Sequence, residues 1–243
     1  MIVATTADEN YALPLRVALR SLVDFHPEAD LHVLDCGLTT ASMKKTEQVL
    51  GREVFWHEVP KDILPPLEPN PVLSNATYAR LALHLLLPRT PKVLYLDADT
   101  LTVGELDELW STPLSGDMPI AAVSDTGELT LAQKAVMPKV TTYFNAGVFM
   151  ADLAEWRREQ VHAWYPSLIG KAGPFHDQCI LNTIFDNRVT VLDTKWNWQR
   201  HEGGPAPEDT RIIHYVGHGK PWYPRRNPRP DHAKYHKVVA RVC

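Results

Sequence analysis

The first hundred residues alternate short apolar runs with amphipathic stretches, and this alternation limits the choice of fold more than any other feature of the sequence. Predicted strands cover residues 2–6, 31–36, 54–59 and 92–96, and predicted helices cover residues 11–23, 40–50 and 76–87. Pro14 is tolerated in the first turn of the first helix, and Thr39 or Thr40 can cap the second. The βαβαβ succession predicts a Rossmann-like, doubly wound α/β fold with right-handed crossovers.

The second half of the chain is less regular. Its patterns predict strands over residues 120–124, 147–150, 189–192 and 211–216, and helices over residues 153–165 and 178–185. The proline-rich residues 60–71 predict a surface loop. Because no internal repeat or low-complexity tract divides the sequence, we expect one α/β domain over residues 1–243 with an irregular C-terminal lobe.

Composition excludes several classes of protein. The 243 residues carry a net charge of −4, so nucleic acid is not the expected partner. Cys36, Cys179 and Cys243 are scattered and form no CxxC pair, which argues against a disulfide framework or zinc site and suits a reducing cytoplasm. No basic segment precedes Ile2, and the longest apolar run, 81–87, is too short to span a bilayer, so we expect a soluble cytoplasmic protein without a cleaved signal.

An aspartate pair, Asp97 and Asp99, directly follows the apolar strand predicted over residues 92–96. Ligands of open α/β sheets bind beyond the carboxyl ends of the strands, so this pair is expected to face a cleft. Two carboxylates so close repel each other unless a cation neutralises them. The pair therefore predicts a divalent metal held against substrate phosphates, with solvated loop carboxylates or helix caps as the alternative.

The pair by itself leaves a second chemistry open. Phosphohydrolases of the haloacid dehalogenase type also place DxDxT after an apolar strand, and there Asp97 would attack phosphorus as a nucleophile with Mg²⁺. The fifth position of that pattern is Leu101 here, between Thr100 and Thr102. Three predicted strands also precede the pair, whereas the phosphohydrolase pattern expects it on the first strand. We therefore rank the phosphohydrolase second.

Six segments together resemble the retaining glycosyltransferases of family 8, the group of glycogenin and bacterial lipooligosaccharide galactosyltransferases. They are TADENYALPLRVALRSL (6–22), TYARL (77–81), VLYLDADTLTVGELDELW (93–110), YFNAGVFMADLAEWR (143–157), HDQCILN (176–182) and IIHYVGHGKPW (212–222). They span nearly the whole chain in the family's order. The resemblance implies a GT-A fold, with residues 1–110 as the nucleotide-binding half and residues 111–243 as the donor-sugar and acceptor half.

The resemblance also implies a metal site and a diphosphate grip. Asp97 and Asp99 match the family's DxD metal ligands, and His214 matches its third protein ligand. Carboxylates with an imidazole favour Mn²⁺, with Mg²⁺ possible but weaker. Gly217 and Lys220 match the residues that hold the diphosphate, where a glycine permits close backbone approach and an ammonium neutralises the leaving group.

The remaining site residues follow from the same resemblance. Six residues match the family's contacts with the nucleotide or with the donor near the aspartate strand. They are Thr6, Asp8, Asn10, Tyr11, Arg80 and Ala98. Tyr11 would stack on uracil, and the Arg80 guanidinium suits bidentate contact with phosphate or sugar hydroxyls. The residues that match the donor-sugar pocket are Asp125, Asn145, Asp177 and Gln178.

The implied reaction transfers glucose or galactose from UDP-glucose or UDP-galactose to a hydroxyl of a saccharide, lipid-linked saccharide or protein, with retention. Gln178, Asp177 and Lys220 are the candidate catalytic residues. An amide is a poor nucleophile, which favours same-face attack in which the leaving diphosphate takes the acceptor's proton over a covalent intermediate. A non-catalytic UDP-sugar binder and a scaffold that glycosylates only itself are the alternatives.

The acceptor side and the membrane contact are less well defined by the sequence. Residues 126–140 would help form the acceptor side, and Trp196 or Trp198 could stack on a sugar. From Arg211 to the end, eight Lys and Arg face one acid, Asp231. The basic stretch 225–241 is a solvated tail or a peripheral dock on the anionic inner face of the membrane.

Overall fold

The computed structural model describes residues 1–60, 75–125, 137, 139–168, 176–199, 205–217, 219–223 and 229–243. The strands are β1 Ile2–Ala7, β2 Asp30–Asp35, β3 Phe55–Glu58, β4 Lys92–Leu96, β5 Thr100–Thr102, β6 Ile120–Ser124, β7 Phe144–Asp152, β8 Val189–Leu192, β9 Trp198–Gln199 and β10 Ile212–His214. The α-helices are α1 Ala12–Val23, α2 Thr40–Leu50, α3 Leu83–Leu86, α4 Asp107–Trp110, α5 Leu153–Arg158, α6 Val161–Leu168, α7 His176–Ile184 and α8 Pro230–Val242. Turns of 3₁₀-helix cover Glu9–Tyr11, Asn75–Ala82 and Thr194–Trp196.

The main sheet has the strand order β3-β2-β1-β4-β7-β6-β8 within the described residues. Strands β1 to β4 run parallel, as the βαβαβ pattern predicts, whereas β7 runs antiparallel to both β4 and β6. Successive side chains of a strand point to opposite faces of the sheet. Leu94 and Leu96 of β4 accordingly pack in a core with α1, while Val93 and Tyr95 pack in a second core with Trp156 of α5. The sheet is therefore mixed and covered on both faces.

A second, three-stranded sheet brings distant parts of the chain to the aspartate pair. β10 pairs antiparallel with β5, which starts one residue after Asp99, and the register places His214 opposite Thr100. The backbone N–H of Tyr215 also donates to the carbonyl oxygen of Asp99 at 3.0 Å. This pairing seats His214 beside the carboxylates, although more than a hundred residues separate them in sequence.

Several predicted elements need correction. The helix predicted over residues 76–87 is a 3₁₀ segment followed by the four residues of α3. The helix predicted over residues 153–165 is divided into α5 and α6 by Gln160, whose φ of 50° is incompatible with a continuous right-handed helix. Strands β5 and β9 were not predicted, because two or three residues show no periodicity. The loop predicted over 60–71 lies outside the described residues, apart from Pro60.

The C-terminal residues are not simply a solvated basic tail. Residues 230–242 form α8, whose Tyr235 and Val242 pack in one apolar cluster with Val17 of α1. Arg241 pairs with Asp24 at the end of α1. Arg225 and Arg226 lie outside the described residues. Within the described part of the chain, no helix has the length and hydropathy needed to cross a bilayer.

Candidate active site

The predicted site residues converge at one edge of the main sheet. Asp8 follows the carboxyl end of β1, Asp97 follows that of β4, and Asp125 follows that of β6. Asn145 reaches the same edge near the beginning of β7, because that strand runs in the opposite direction. The sheet topology thus gathers these side chains beyond the strand ends, which is where α/β folds form their ligand cleft.

Asp97, Asp99 and His214 form a compact cluster in this cleft, as the sequence predicts. One ligand atom from each residue lies within 4.8 Å of the other two. Nε2 of His214 is 3.2 Å from Oδ1 of Asp99 and 3.8 Å from Oδ2 of Asp97. Asp99 and His214 are buried, and the side chain of Asp97 remains 21% exposed. An open side of the cluster therefore meets the cleft.

Two observations show that the cluster suits a divalent cation. Oδ1 of Asp99 is buried, and the described residues place no hydrogen-bond donor on it with suitable geometry. The second observation is that Gly147 keeps the space beside His214 and Asp97 clear. A Cβ at position 147 would lie 2.1 Å from Cε1 of His214 and 2.6 Å from Oδ2 of Asp97. Two carboxylates and one imidazole form a donor set that first-row divalent metals accept.

Lys220 and Gly217 lie on the segment that follows β10. The Lys220 ammonium contacts Oδ2 of Asp99 and donates to the carbonyl oxygen of Tyr215 at 2.7 Å. Burial raises the pKa of Asp99, but the positive charge of Lys220 outweighs burial, with a further contribution from the neighbouring His214, and holds the pKa well below its usual range. Gly217 has a φ of 69°, a left-handed conformation that favours glycine. Asp99 is therefore a carboxylate at neutral pH.

Arg80 lies between two carboxylates of the site. Its guanidinium is buried and contacts Oδ1 of Asp97 at 2.8 Å and Oδ2 of Asp177 at 3.0 Å. It also donates to the carbonyl oxygens of Thr77 and Ala146. Arg80 therefore holds Asp97 and Asp177 in position, and its contact with phosphate or sugar stays a prediction. The residue lies on the 3₁₀ segment Asn75–Ala82.

Asp177 lies in the first turn of α7 and is buried against Arg80. Burial raises its pKa to about 7, although the positive charge of Arg80 acts in the opposite direction. The side chain of its neighbour Gln178 has other partners. Oε1 of Gln178 accepts from the N–H of Ala146 at 2.9 Å, and Nε2 of Gln178 donates to Oδ2 of Asp125 at 3.0 Å. The two candidate catalytic residues therefore occupy different surroundings.

Asp125, Asn145 and Gln178 form one hydrogen-bonded group, as expected of residues that share a pocket. Nδ2 of Asn145 donates to Oδ2 of Asp125 at 3.2 Å, and Oδ1 of Asn145 accepts from the N–H of Gly147 at 3.0 Å. Asn197 extends the group by donating to Oδ1 of Asn145 at 3.0 Å. The sequence analysis did not identify Asn197 or Gly147 as site residues, since both act through strand pairings that no local pattern reveals.

The predicted nucleotide residues lie where β1 ends. Thr6 and Ala98 are buried, whereas Asn10 is exposed and Tyr11 is partly exposed. The Asp8 carboxylate accepts from the N–H of Tyr11 at 3.3 Å, and the Tyr11 ring meets the Trp222 ring edge-on at 5.6 Å between centroids. Glu9, which was not predicted, ties this loop to α2 by accepting from the N–H of Thr39 at 2.8 Å and the hydroxyl of Ser42 at 2.7 Å.

Most of the predicted acceptor segment, 126–140, lies outside the described residues. The residues concerned are 126–136 and 138. Trp196 is buried in the core beside β6, so it is not available to stack on a sugar. Trp198 is partly exposed and packs beside Ile213 and Trp222.

Comparison with solved structures identifies the class of enzyme. The chain superposes on galactosyltransferase LgtC in complex with donor and acceptor sugar analogs, with a TM-score of 0.86, 26% identity, and coverage of 99% of this chain and 95% of that chain. This is the GT-A fold of glycosyltransferases, as the resemblance implied. The chain is a glycosyltransferase.

The family follows from sequence. The model of glycosyl transferase family 8 matches residues 2–225, and the chain belongs to this family. General stress protein A of Bacillus subtilis is 24% identical over 91% of this chain and 87% of its own length. Lipopolysaccharide 1,3-galactosyltransferase of Salmonella typhimurium is 26% identical over 91% of this chain and 72% of its own length. Family membership leaves the phosphohydrolase alternative without support.

Proposed function

We propose that this glycosyltransferase transfers galactose or glucose from a UDP-sugar to an acceptor hydroxyl with retention of configuration, and that it requires Mn²⁺. The observation that carries the proposal is the Asp97–Asp99–His214 cluster beside Lys220, in which Asp99 and His214 are buried, at the edge of a GT-A sheet beyond its strand ends. In this arrangement residues 1–110 supply most of the nucleotide seat, and residues 111–243 supply the donor-sugar and acceptor side within one domain.

Departure of UDP is the step that the site must assist. Asp97, Asp99 and His214 would hold the divalent ion, which supplies Lewis-acid stabilisation of the diphosphate when bound. The Lys220 ammonium adds a positive charge next to Asp99, where it can neutralise charge that develops on the leaving oxygen. Gly217 has a left-handed backbone conformation, and a residue without a side chain there would let a phosphate approach the backbone closely. Asp8, Asn10 and Tyr11 would hold the uridine, with Thr6 and Ala98 lining its seat.

The surroundings of Asp177 and Gln178 bear on how configuration is retained. Asp177 is buried against Arg80 and is partly protonated near neutral pH, because burial raises its pKa to about 7. Gln178 is an amide whose two ends are engaged by Ala146 and Asp125. Because Gln178 is an amide and the Asp177 carboxyl is engaged by Arg80, we favour same-face attack, with the acceptor's proton passing to the departing diphosphate. Gln178, Asp125 and Asn145 then orient the donor sugar.

The relatives support the choice of substrates. Both LgtC and the Salmonella typhimurium enzyme are galactosyltransferases by name, and the latter acts on lipopolysaccharide. We therefore place UDP-galactose first, UDP-glucose second, and a saccharide or glycolipid ahead of a protein as acceptor. A cytoplasmic location with peripheral contact at the inner face of the membrane would suit a glycolipid acceptor. In α8, Lys234 and Lys237 are exposed and provide a basic surface for such contact.

The direct test is donor turnover with controlled metal. The purified protein is incubated with UDP-galactose or UDP-glucose and Mn²⁺, Mg²⁺ or a chelator, and released UDP is quantified with and without an acceptor array. We expect turnover with Mn²⁺, weaker turnover with Mg²⁺ and none after chelation. An α-linked product on an added acceptor supports the retaining reaction. Binding of the donor without any turnover supports the non-catalytic alternative, and hexose mass added only to the protein supports self-glycosylation.

A further inference from the structure

A chain of hydrogen bonds leads from His214 away from the carboxylates and into the predicted sugar pocket. Nδ1 of His214 lies 3.0 Å from Oδ1 of Asn197, and Nδ2 of Asn197 donates to Oδ1 of Asn145 at 3.0 Å. Nδ2 of Asn145 donates to Oδ2 of Asp125 at 3.2 Å. Asn197 is 1% exposed, and Asn145 and His214 are also buried, so water does not substitute for these contacts.

The two ends of this chain fix the direction of every hydrogen bond within it. An ionised carboxylate only accepts, so Asn145 must present its NH₂ group to Asp125. A backbone N–H only donates, so Asn145 must present its oxygen to Gly147. The same Asn145 oxygen can only accept a hydrogen bond from Asn197. Asn197 must therefore direct its NH₂ group at Asn145 and its oxygen at His214. The imidazole must therefore donate from Nδ1, and Nε2 is the ring nitrogen that faces the carboxylates.

The opposite tautomer would disable the cluster. A hydrogen on Nε2 would lie on the side of the two carboxylates, since Nε2 is 3.2 Å from Oδ1 of Asp99 and 3.8 Å from Oδ2 of Asp97. It would occupy the position that a cation needs, and the imidazole could not coordinate through Nε2. With Nδ1 donating to Asn197, a neutral imidazole keeps its Nε2 electron pair on the side of the two carboxylates, where all three residues can offer an electron pair to a cation.

We infer that Asn197 is a positioning residue that selects the metal-binding tautomer of His214 and links that ligand to the sugar-pocket carboxylate Asp125. The inference rests on the proposed metal-dependent function and deepens it. The side-chain hydrogen bonds of Asn197 within the described residues go to Asn145 and His214, so Asn197 acts on the cluster through the imidazole. Partners that orient a histidine ligand in this way typically contribute about 10-fold to 100-fold in metal affinity.

The decisive measurement uses the wild-type protein without metal or nucleotide, so it does not depend on turnover. Long-range ¹H–¹⁵N correlation spectra of ¹⁵N-histidine-labelled protein distinguish the two tautomers, and the His214→Ala variant identifies the His214 signals. We expect His214 to carry its hydrogen on Nδ1. A hydrogen on Nε2 in wild type overturns the inference, whatever the enzyme proves to catalyse.

Variants then assign the effect to Asn197. Asn197→Leu removes the acceptor while keeping a side chain branched at Cγ, and we expect loss of the pure Nδ1–H signal and about 10-fold to 100-fold weaker Mn²⁺ binding by calorimetry. Asn197→Asp keeps an acceptor, so it should retain the tautomer and bind Mn²⁺ more tightly than Asn197→Leu. Wild-type Mn²⁺ affinity or an unchanged tautomer in folded Asn197→Leu overturns the inference.

A matched control separates this role from general destabilisation. The buried Ser21 hydroxyl donates to the carbonyl oxygen of Ala18 and accepts from the N–H of Thr102, and it makes no contact with the hydrogen-bond chain. Ser21→Ala should lower the melting temperature while leaving the His214 signals and Mn²⁺ affinity unchanged. If Ser21→Ala weakens Mn²⁺ binding as much as Asn197→Leu does, the effect is structural and the inference fails.

Discussion

Two clusters of one histidine and two acids occur among the described residues, and they differ in burial and in the state of the imidazole. The first is Asp97, Asp99 and His214, and the second is His26, Glu105 and Asp107. In the first cluster, Asp99 and His214 are buried, and Nδ1 of His214 is hydrogen-bonded to Asn197. In the second, both acids are exposed and Nε2 of His26 already accepts from the backbone N–H of Leu106 at 2.8 Å.

The comparison shows why composition and proximity do not define a metal site. A ligand nitrogen needs a lone pair directed at the ion, and that lone pair on His26 is occupied by a backbone donor. Exposed carboxylates also remain solvated, so they gain little from a cation. The first cluster has the opposite features, including a glycine that leaves the space clear. Three predictions test this contrast, in order of decreasing effect.

The largest effect is expected from Asp99→Asn. An amide binds a cation far more weakly than a carboxylate, so Mn²⁺ affinity and donor turnover should fall by more than about 100-fold, beyond the loss typical of an outer-shell partner. Calorimetry with Mn²⁺ and a UDP-release assay measure the two quantities, and circular dichroism checks folding. Glu105→Gln in the second cluster is the control and should leave both quantities unchanged. Equal losses in the two variants would contradict the assignment.

The next effect concerns the glycine beside the cluster. A Cβ in Gly147→Ala would meet His214 and Asp97 within 2.1 to 2.6 Å, so the side chains must move apart. We expect loss of Mn²⁺ binding and a fall of about 1–3 kcal/mol in the free energy of unfolding, as for other overpacked sites. Urea denaturation and calorimetry provide the measurements.

Gly104, next to the second cluster, is the matched control for Gly147. A Cβ there would meet only the Arg211 side chain, at 2.5 Å from Cδ, and that chain can rotate away. Gly104→Ala should change the free energy of unfolding by no more than about 0.5 kcal/mol and should bind Mn²⁺ normally. Normal Mn²⁺ binding by Gly147→Ala would show that the space beside the cluster is not required.

The smallest effect concerns the buried carboxyl next to the first cluster. Burial raises the pKa of Asp177 from 3.8 to about 7, so the folded protein binds this proton more tightly than the unfolded chain does. Stability should therefore fall as pH rises between these values. Asp177→Asn has no proton to lose at this position, so its stability should not fall in this way. The difference in free energy of unfolding between Asp177→Asn and wild type should grow between pH 5 and 7, by up to about 1.4 kcal/mol per pH unit. Urea denaturation without metal checks this, and an advantage independent of pH would contradict it.

The fold and part of the site could be predicted from the sequence for identifiable reasons. β4, β6 and β8 have their predicted bounds, because each is an apolar run that ends at turn residues or acids. Asp97 and Asp99 were found from their position after such a run, without any resemblance. His214 required the family resemblance, because β10 contains only three residues.

The rest depended on tertiary contacts that no local pattern encodes. Asn197 reaches His214 only because β9 and β10 pair side by side. Arg80 contacts its two carboxylates from a 3₁₀ segment. The periodicity of residues 76–87 predicted an α-helix there, so the position of Arg80 could not be predicted. The folding of the basic tail into α8 was missed, since its apolar positions are sparse among lysines, histidines and arginines.

The most direct test of the central claim is pulsed electron–nuclear double resonance of Mn²⁺ bound to the protein together with UDP. The proposal expects ³¹P couplings from the diphosphate and a ¹⁴N coupling from an imidazole, with only the nitrogen coupling lost in His214→Ala. Mn²⁺ that shows neither coupling, or a nitrogen coupling that survives in His214→Ala, would contradict the assignment of Asp97, Asp99 and His214 as the catalytic metal site.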